Sequence, residues 1–259
     1  MPEMAHSLDD ILRAAAEWSW TPRGSTHDDT HARLTLYPAR LGGGVRASRV
    51  RSRLDATAVV DYALARSREW AATGIVFWTN PSDEPDLEPE LQRRGAVHVD
   101  TVSVLSAPGD SIDLGAPGEV AVEVVRTLAQ VHDVDAVNVP VWGQTPLDEH
   151  GARDELVDVV AALESGEGAQ VLARLDGAPV AVGGCAVVDG FVRLWGGSTL
   201  AAARGRGAYR AVLAERLRIG MELGATTALV KGRISTSAPI LARAGFRQVG
   251  EERAYRLAV

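Results

Sequence analysis

Phe191-Val-Arg-Leu-Trp-Gly-Gly197 is followed shortly by Arg204-Gly205-Arg206-Gly207-Ala208. The first run is apolar enough for a strand. The second opens a segment, residues 208–223, in which Val212, Leu213, Leu217, Ile219 and Leu223 recur at helical spacing before Gly224 at a C-cap position. A strand feeding a glycine-rich turn into a helix is an anion site on physical grounds. Helix N-termini leave backbone N–H groups unpaired and carry partial positive charge. Glycines let the chain come close to a ligand, and successive N–H groups form a concave nest. Arg204 and Arg206 add charge-assisted hydrogen bonds. A diphosphate fits such a cradle. The plainer alternative is a solvated arginine loop capping an ordinary helix; the strand before and the amphipathic helix after favour the anion site.

Working outward, residues 170–175 and 180–188 are strand-like and flank Asp176-Gly177, while Asp189-Gly190 separates the second of these from Phe191. Asp-Gly between apolar runs favours two-residue turns, whose positive φ suits glycine. Three antiparallel strands in succession are therefore expected. Residues 226–230 read as a strand, 236–244 as a helix and 246–257 as one or two closing strands. Upstream, 120–126 reads as a strand, and 127–139 and 147–163 as helices, separated by the turn Pro140-Val-Trp-Gly-Gln-Thr-Pro146. The order β-α-α-β-β-β-α-β-α-β places the chain in the α/β (α+β) class, with mixed, largely antiparallel sheets flanked by helices.

The first half reads as a worn copy of the end of this pattern. Leu91, Arg93, Gly95 and Val99 recur in register as Leu241, Arg243, Gly245 and Val249, and Gly74 and Gly224 share the same offset as expected helix-ending glycines. Such self-similarity is the signature of an internal repeat. The Pro- and Gly-rich segment 108–118 reads as a linker, between a first domain over 1–107 and a second over 119–259.

A net charge of −7 disfavours nucleic acid as partner. No stretch approaches the roughly 20 apolar residues of a membrane span, and residues 1–10 hold three acidic residues and no basic run, unlike a secretory signal. Cys185 is the only cysteine, so no intramolecular disulfide forms and a cysteine zinc site is excluded. The histidines lack metal-ligand spacing. A cytoplasmic protein, monomer or homodimer, with no metal, is expected.

Residues 120–257 resemble the GCN5-related N-acetyltransferases, whose mark is Arg/Gln-x-x-Gly-x-Gly/Ala after the fourth strand: Arg204 and Gly207 match, Tyr209 replaces the last Gly/Ala, and Ala244-Gly245-Phe246 after the final helix is characteristic. The resemblance implies a tandem arrangement with a degenerate first copy, and acetyl-CoA or a related acyl-CoA as co-substrate. Its pyrophosphate would lie on Arg204, Gly205, Arg206, Gly207, Ala208 and Tyr209, and its pantetheine along Gly197, Ser198 and Thr199. At the equivalent place in the first half, Arg51-Ser-Arg-Leu-Asp55-Ala-Thr57 offers an N-cap side chain, Asp55 or Thr57, that would fill and repel the anion site. One acyl-CoA per chain is expected.

The activity implied is transfer of an acetyl group to a primary amine of a small molecule. The other readings are a catalytically silent acyl-CoA-binding module, and O-acyl or protein-lysine transfer on the same fold. An amine must lose a proton; the family's strand-four glutamate is absent, leaving His132, Asp133, Asp148, Glu149 and His150 as candidate bases. The family's tyrosine position is Leu241, leaving Tyr209, Ser237 and Tyr255 as candidate acids. Trp142 and Trp195 are candidates for lining an acceptor pocket, with core packing as the alternative. Cys185 has no basic neighbour in sequence and reads as buried filler.

Overall fold

The computed structural model describes residues 6–50, 52–81, 83, 85–112, 114 and 120–259. Much of the expected linker, including 115–118, lies outside the described residues, as does Arg51. In chain order the elements are α1 (Leu8–Ala16), β1 (Thr26–Asp28), β2 (Arg33–Leu36), β3 (Val45–Ser48), α2 (Ala56–Glu69), β4 (Gly74–Thr79), α3 (Leu87–Arg93) and β5 (Val97–Pro108). They continue with β6 (Ala121–Val124), α4 (Leu128–Trp142), α5 (Glu149–Glu164), β7 (Gly168–Leu175), β8 (Ala178–Val188), β9 (Phe191–Thr199), α6 (Ala208–Glu222), β10 (Thr227–Arg233), α7 (Ser237–Arg243) and β11 (Arg247–Ala258).

The chain divides into two compact units that are not contiguous in sequence. One comprises Ser7–Leu105, Gly232–Leu241 and Gln248–Val259; the other is built chiefly from Ser106–Lys231 with Ala242–Arg247. The closing strand therefore departs from the expected body over 119–259: β11 pairs antiparallel with β4 (Tyr255↔Phe77, Leu257↔Ile75) and clusters with the first half. Its side chains explain this. Tyr255 and Leu257 complete an apolar cluster with Leu34, Ala47, Val60, Phe77 and Leu91, which β4 alone would leave half covered.

Within that unit the strand order is β1-β2-β3-β4-β11-β5, with β3 and β4 parallel and joined through α2. In the other unit the order is β6-β7-β8-β9-β10, antiparallel except for β9 and β10, which are parallel and joined through α6. The successions β3-α2-β4-α3-β5 and β9-α6-β10-α7-β11 match, as the repeat requires. Gly95 (φ 80°) and Gly245 (φ 103°) end α3 and α7 in the left-handed region, and Leu91 and Leu241 are both fully buried. Gly74 departs from expectation. Helix α2 stops at Glu69 because Ala71 turns left-handed (φ 55°), and Gly74 opens β4.

Both Asp-Gly turns take positive φ at each position, 52° and 80° at Asp176-Gly177 and 51° and 78° at Asp189-Gly190, the geometry that joins twisted antiparallel strands tightly. Helix α4 runs through Pro140 to Trp142, past its expected end at residue 139. Proline removes one helical N–H and crowds the turn before it, so the helix ends soon after: Gly143 (φ 66°) closes it by donating to the Val139 carbonyl at 2.9 Å. The face of the sheet beneath α4 and α5 is sealed by Val131, Val134, Val137, Ala152, Val159, Leu172 and Val182. Helix α6 packs against β7, β8 and β9 with Val212, Leu213 and Leu217 buried.

Candidate functional site

The parallel ladder between β9 and β10 runs only from Phe191↔Thr227 to Leu194↔Val230. Beyond it, residues 195–199 remain strand and stay paired with β8, as in Val182↔Ser198 and Ala181↔Thr199, but have no β10 partner. The cause is local. Between Gly184↔Trp195 and Val182↔Ser198, strand β9 carries Gly196 and Gly197 against Gly183 alone. Two residues opposing one is a β-bulge, which bends a strand and alters its twist. Gly196 sits at φ 61°, open to glycine at no steric cost. Gly184 is required on the facing strand, since a Cβ there would come 2.1 Å from the Trp195 ring.

At the end of this free stretch the chain makes a short 3-10 turn (Ala201–Ala203) and enters α6 through Gly205 (φ 76°) and Gly207 (φ 87°). No side chain caps α6, and a Cβ on Gly205 or Gly207 would meet nothing within 4 Å. The first turn of α6 therefore has no side-chain acceptor at its N-cap, and Arg204 and Arg206 are exposed beside it, Arg206 only loosely held by Asp176 at 3.4 Å. In the first half the same helix start is filled: the Asp55 carboxylate accepts from the Ala58 N–H at 2.8 Å. An uncapped helix end beside a strand with a free edge suits an anionic head group carried on an extended amide-bearing arm.

Of the expected site residues, Ser198 is buried and its hydroxyl donates to Asn138 Oδ1 at 2.9 Å, which fastens α4 to the free part of β9. Thr199 Oγ1 is buried without a hydrogen-bond partner. Tyr209 lies under the bulge: its ring stands 3.4 Å from where a Gly197 Cβ would be. Burial pushes its hydroxyl above the ordinary phenol value, and the adjacent Arg216 guanidinium pulls the other way. Trp142 and Trp195 are 41% and 37% exposed, so neither is core. Trp142 lies one helical turn beyond Asn138, on the same side of α4.

Among the candidate bases, His132 Nε2 and Glu149 Oε1 meet at 3.5 Å, both exposed. The others are otherwise engaged. Asp133 binds Arg174, Asp148 caps α5 through the Gly151 N–H at 2.7 Å, and His150 lies 3.5 Å from Asp154. Ser237 and Tyr255 belong to the other unit. The Tyr255 hydroxyl donates to Glu88 Oε2 at 3.1 Å within that unit. Cys185 is buried, and burial pushes its thiol up, as inert filler requires.

Sequence reasoning missed Asn138 and Arg216. Arg216 carried a signal, since it falls between Val212, Leu213 and Leu217 on the apolar stripe of α6, where a solvated arginine has no place. Two Gly-Gly pairs on neighbouring strands, 183–184 and 196–197, likewise mark an irregular backbone.

The whole chain has the fold of the GCN5-related N-acetyltransferases. It is similar to a GCN5-related N-acetyltransferase from Kribbella flavida, at 18% identity and a TM-score of 0.61 over 97% of this chain and 91% of that one. A GCN5-related N-acetyltransferase from Sphaerobacter thermophilus aligns at 16% identity and a TM-score of 0.64, over 88% of this chain and 76% of that one. A tandem protein of the same kind from the clavulanic acid biosynthesis pathway aligns at 11% identity and a TM-score of 0.62, over 95% and 87% of the two chains. No family model and no curated protein matches the sequence.

Proposed function

We propose that the unit containing α6 is an acyl-CoA-dependent N-acyltransferase acting on the amine of a small molecule, with acetyl-CoA as donor. The observation that carries this reading is the conjunction of a bulged strand freed from its parallel neighbour at residue 195 with an uncapped helix N-terminus at Gly207. Arg204, Gly205, Arg206, Gly207, Ala208 and Tyr209 would hold the diphosphate, and the edge of Gly197, Ser198 and Thr199 the pantetheine amides. When bound, the thioester supplies an activated acyl group with a thiol leaving group.

The residues of this chain would do the rest. Backbone N–H groups of the free stretch polarise the acyl oxygen. Trp142 and Trp195 present aromatic surface on the side where Asn138 meets Ser198, which suits an amine attached to an apolar or cationic body. His132, backed by Glu149, accepts the amine proton, and its exposure lets it pass the proton to water.

Thiol release from acetyl-CoA in the presence of a panel of amines, amino sugars and amino acids tests the reading. Tight CoA binding with no acceptor-dependent thiol release on a broad panel would replace it with a silent acyl-CoA-binding module.

A further inference from the structure

Among the described residues Arg216 is the largest fully buried side chain, 2% exposed, and it lies on the α6 side of the β9 bulge. Its Nη1 donates to the carbonyls of Trp195 at 3.2 Å and Gly184 at 3.4 Å, and its Nε to the Val212 carbonyl at 3.3 Å. Among the described residues the groups that act on its charge are Tyr209 and Cys185, with no carboxylate among them. A buried charge without a counter-ion is costly to keep, and arginine does not escape by losing its proton. A methionine or leucine would fill the same space on the apolar stripe at less cost. What the guanidinium does that an apolar side chain cannot is grip the two strands where the bulge breaks their register.

The glycines around it are shaped to this contact. A Cβ on Gly183 would stand 2.8 Å from Arg216 Nη1, and one on Gly197 would stand 3.5 Å from Nη2. The carbonyl of Trp195 and the N–H of Gly196 belong to one planar trans peptide. A guanidinium on the carbonyl therefore polarises that peptide and directs the Gly196 N–H away from itself. Hydrogen-bonded groups in series strengthen one another in this way.

Resting on the acyltransferase reading above, we propose that Arg216 is a positioning residue for acyl transfer. It fixes the Gly196–Gly197 bulge from beneath, and through the Trp195 carbonyl it strengthens the Gly196 N–H as a donor to the acyl oxygen. It does not touch the substrate. Tyr209, whose ring lies against Gly197 beside the guanidinium, holds Arg216 in place.

The test uses the full chain and a stable ketone analogue of acetyl-CoA whose carbonyl is labelled with carbon-13. Its carbonyl stretch is measured by infrared difference spectroscopy on wild type, Arg216→Lys, Arg216→Gln and Gly183→Ala, and CoA affinity is measured in parallel by calorimetry. The Gly183→Ala variant displaces the guanidinium while leaving its charge. Wild type is expected to shift the stretch to lower frequency. In Arg216→Gln and Gly183→Ala the shift is expected to shrink, CoA affinity to stay within about threefold, and kcat to fall by about tenfold or more. Arg216→Lys is expected to retain most of the shift.

An unchanged stretch in folded Arg216→Gln and Gly183→Ala overturns the proposal, as does loss of CoA affinity in step with kcat, which would make Arg216 structural only. If the glutamine variant does not fold, Gly183→Ala and Arg216→Lys decide alone. Failure of the wild type to bind CoA at all is a different result and removes the acyltransferase reading itself.

Discussion

Two substitutions at Gly207 separate the steric from the electrostatic contribution of the α6 anion site. The Gly207 φ of 87° lies in the left-handed region, and a Cβ would meet nothing within 4 Å. Gly207→Ala therefore carries strain and no clash, about 1 kcal/mol, which corresponds to roughly 2–4 °C in Tm for a chain of this size. Gly207→Glu adds a carboxylate at the open helix end. Held about 5 Å from one phosphate at an effective dielectric of about 20, it costs roughly 3 kcal/mol, or about two orders of magnitude in CoA affinity. Calorimetric titration with CoA, paired with thermal unfolding, reads both quantities. Alanine is expected to lower Tm and reduce affinity less than about tenfold, and glutamate to lower Tm similarly and weaken CoA binding about a hundredfold. A glutamate variant that binds CoA as wild type does would refute the assignment of the anion site to α6. Equal losses in the two variants would refute the electrostatic part and leave a steric one.

Asp55→Ala removes the N-cap of α2 and should cost about 1 kcal/mol in denaturant unfolding with CoA affinity unmoved; a change in affinity would contradict the single-site expectation. His132→Gln should lower kcat for the acylated amine by about a hundredfold with CoA affinity unmoved, and a kcat equal to wild type would exclude His132 as base. Burial pushes the Asp83 carboxyl up to about 6, against 3.8 ordinarily, with Glu252 pushing the same way and the Asn80 and Val50 N–H groups opposing. Because the folded state holds this proton more tightly than the unfolded, stability falls as pH rises from about 4 to about 6. The decrease is about 3 kcal/mol from this group, and hydrogen exchange of β3 and β4 at the two pH values should show it in wild type and not in Asp83→Asn.

What could be read before the structure was known follows from how local each determinant is. The Asp-Gly turns, the amphipathic α6 and the glycine entry to it depend on a few adjacent residues, and they stand where the sequence puts them. The end of α4 differs from expectation because proline is a strong local stop signal, yet the helix runs two residues past Pro140 and ends only at the left-handed Gly143. The allegiance of β11 was misread for the opposite reason, since strand pairing with β4 is decided by side chains more than half the chain away. The bulge and the buried Arg216 fall between these cases. Each had a sequence trace, paired glycines and a charge on an apolar stripe, but only the register of β8 against β9 shows that one explains the other.

The pairing of Tyr255 with Phe77 also sets an order of events during synthesis. Residues 7–105 leave the ribosome with Ile75 and Phe77 on a strand edge that has no neighbour until β11 is made. For that interval the nascent chain presents a bare apolar edge of the kind that pairs with other chains. Fragments cut at residues 107 or 118 would prolong this state indefinitely. We expect a circularly permuted chain in which residues 248–259 precede Ser7 to tolerate translation at high expression better than either fragment. The unit built mainly from residues 7–105 is therefore closed by a strand that the end of the chain lends it.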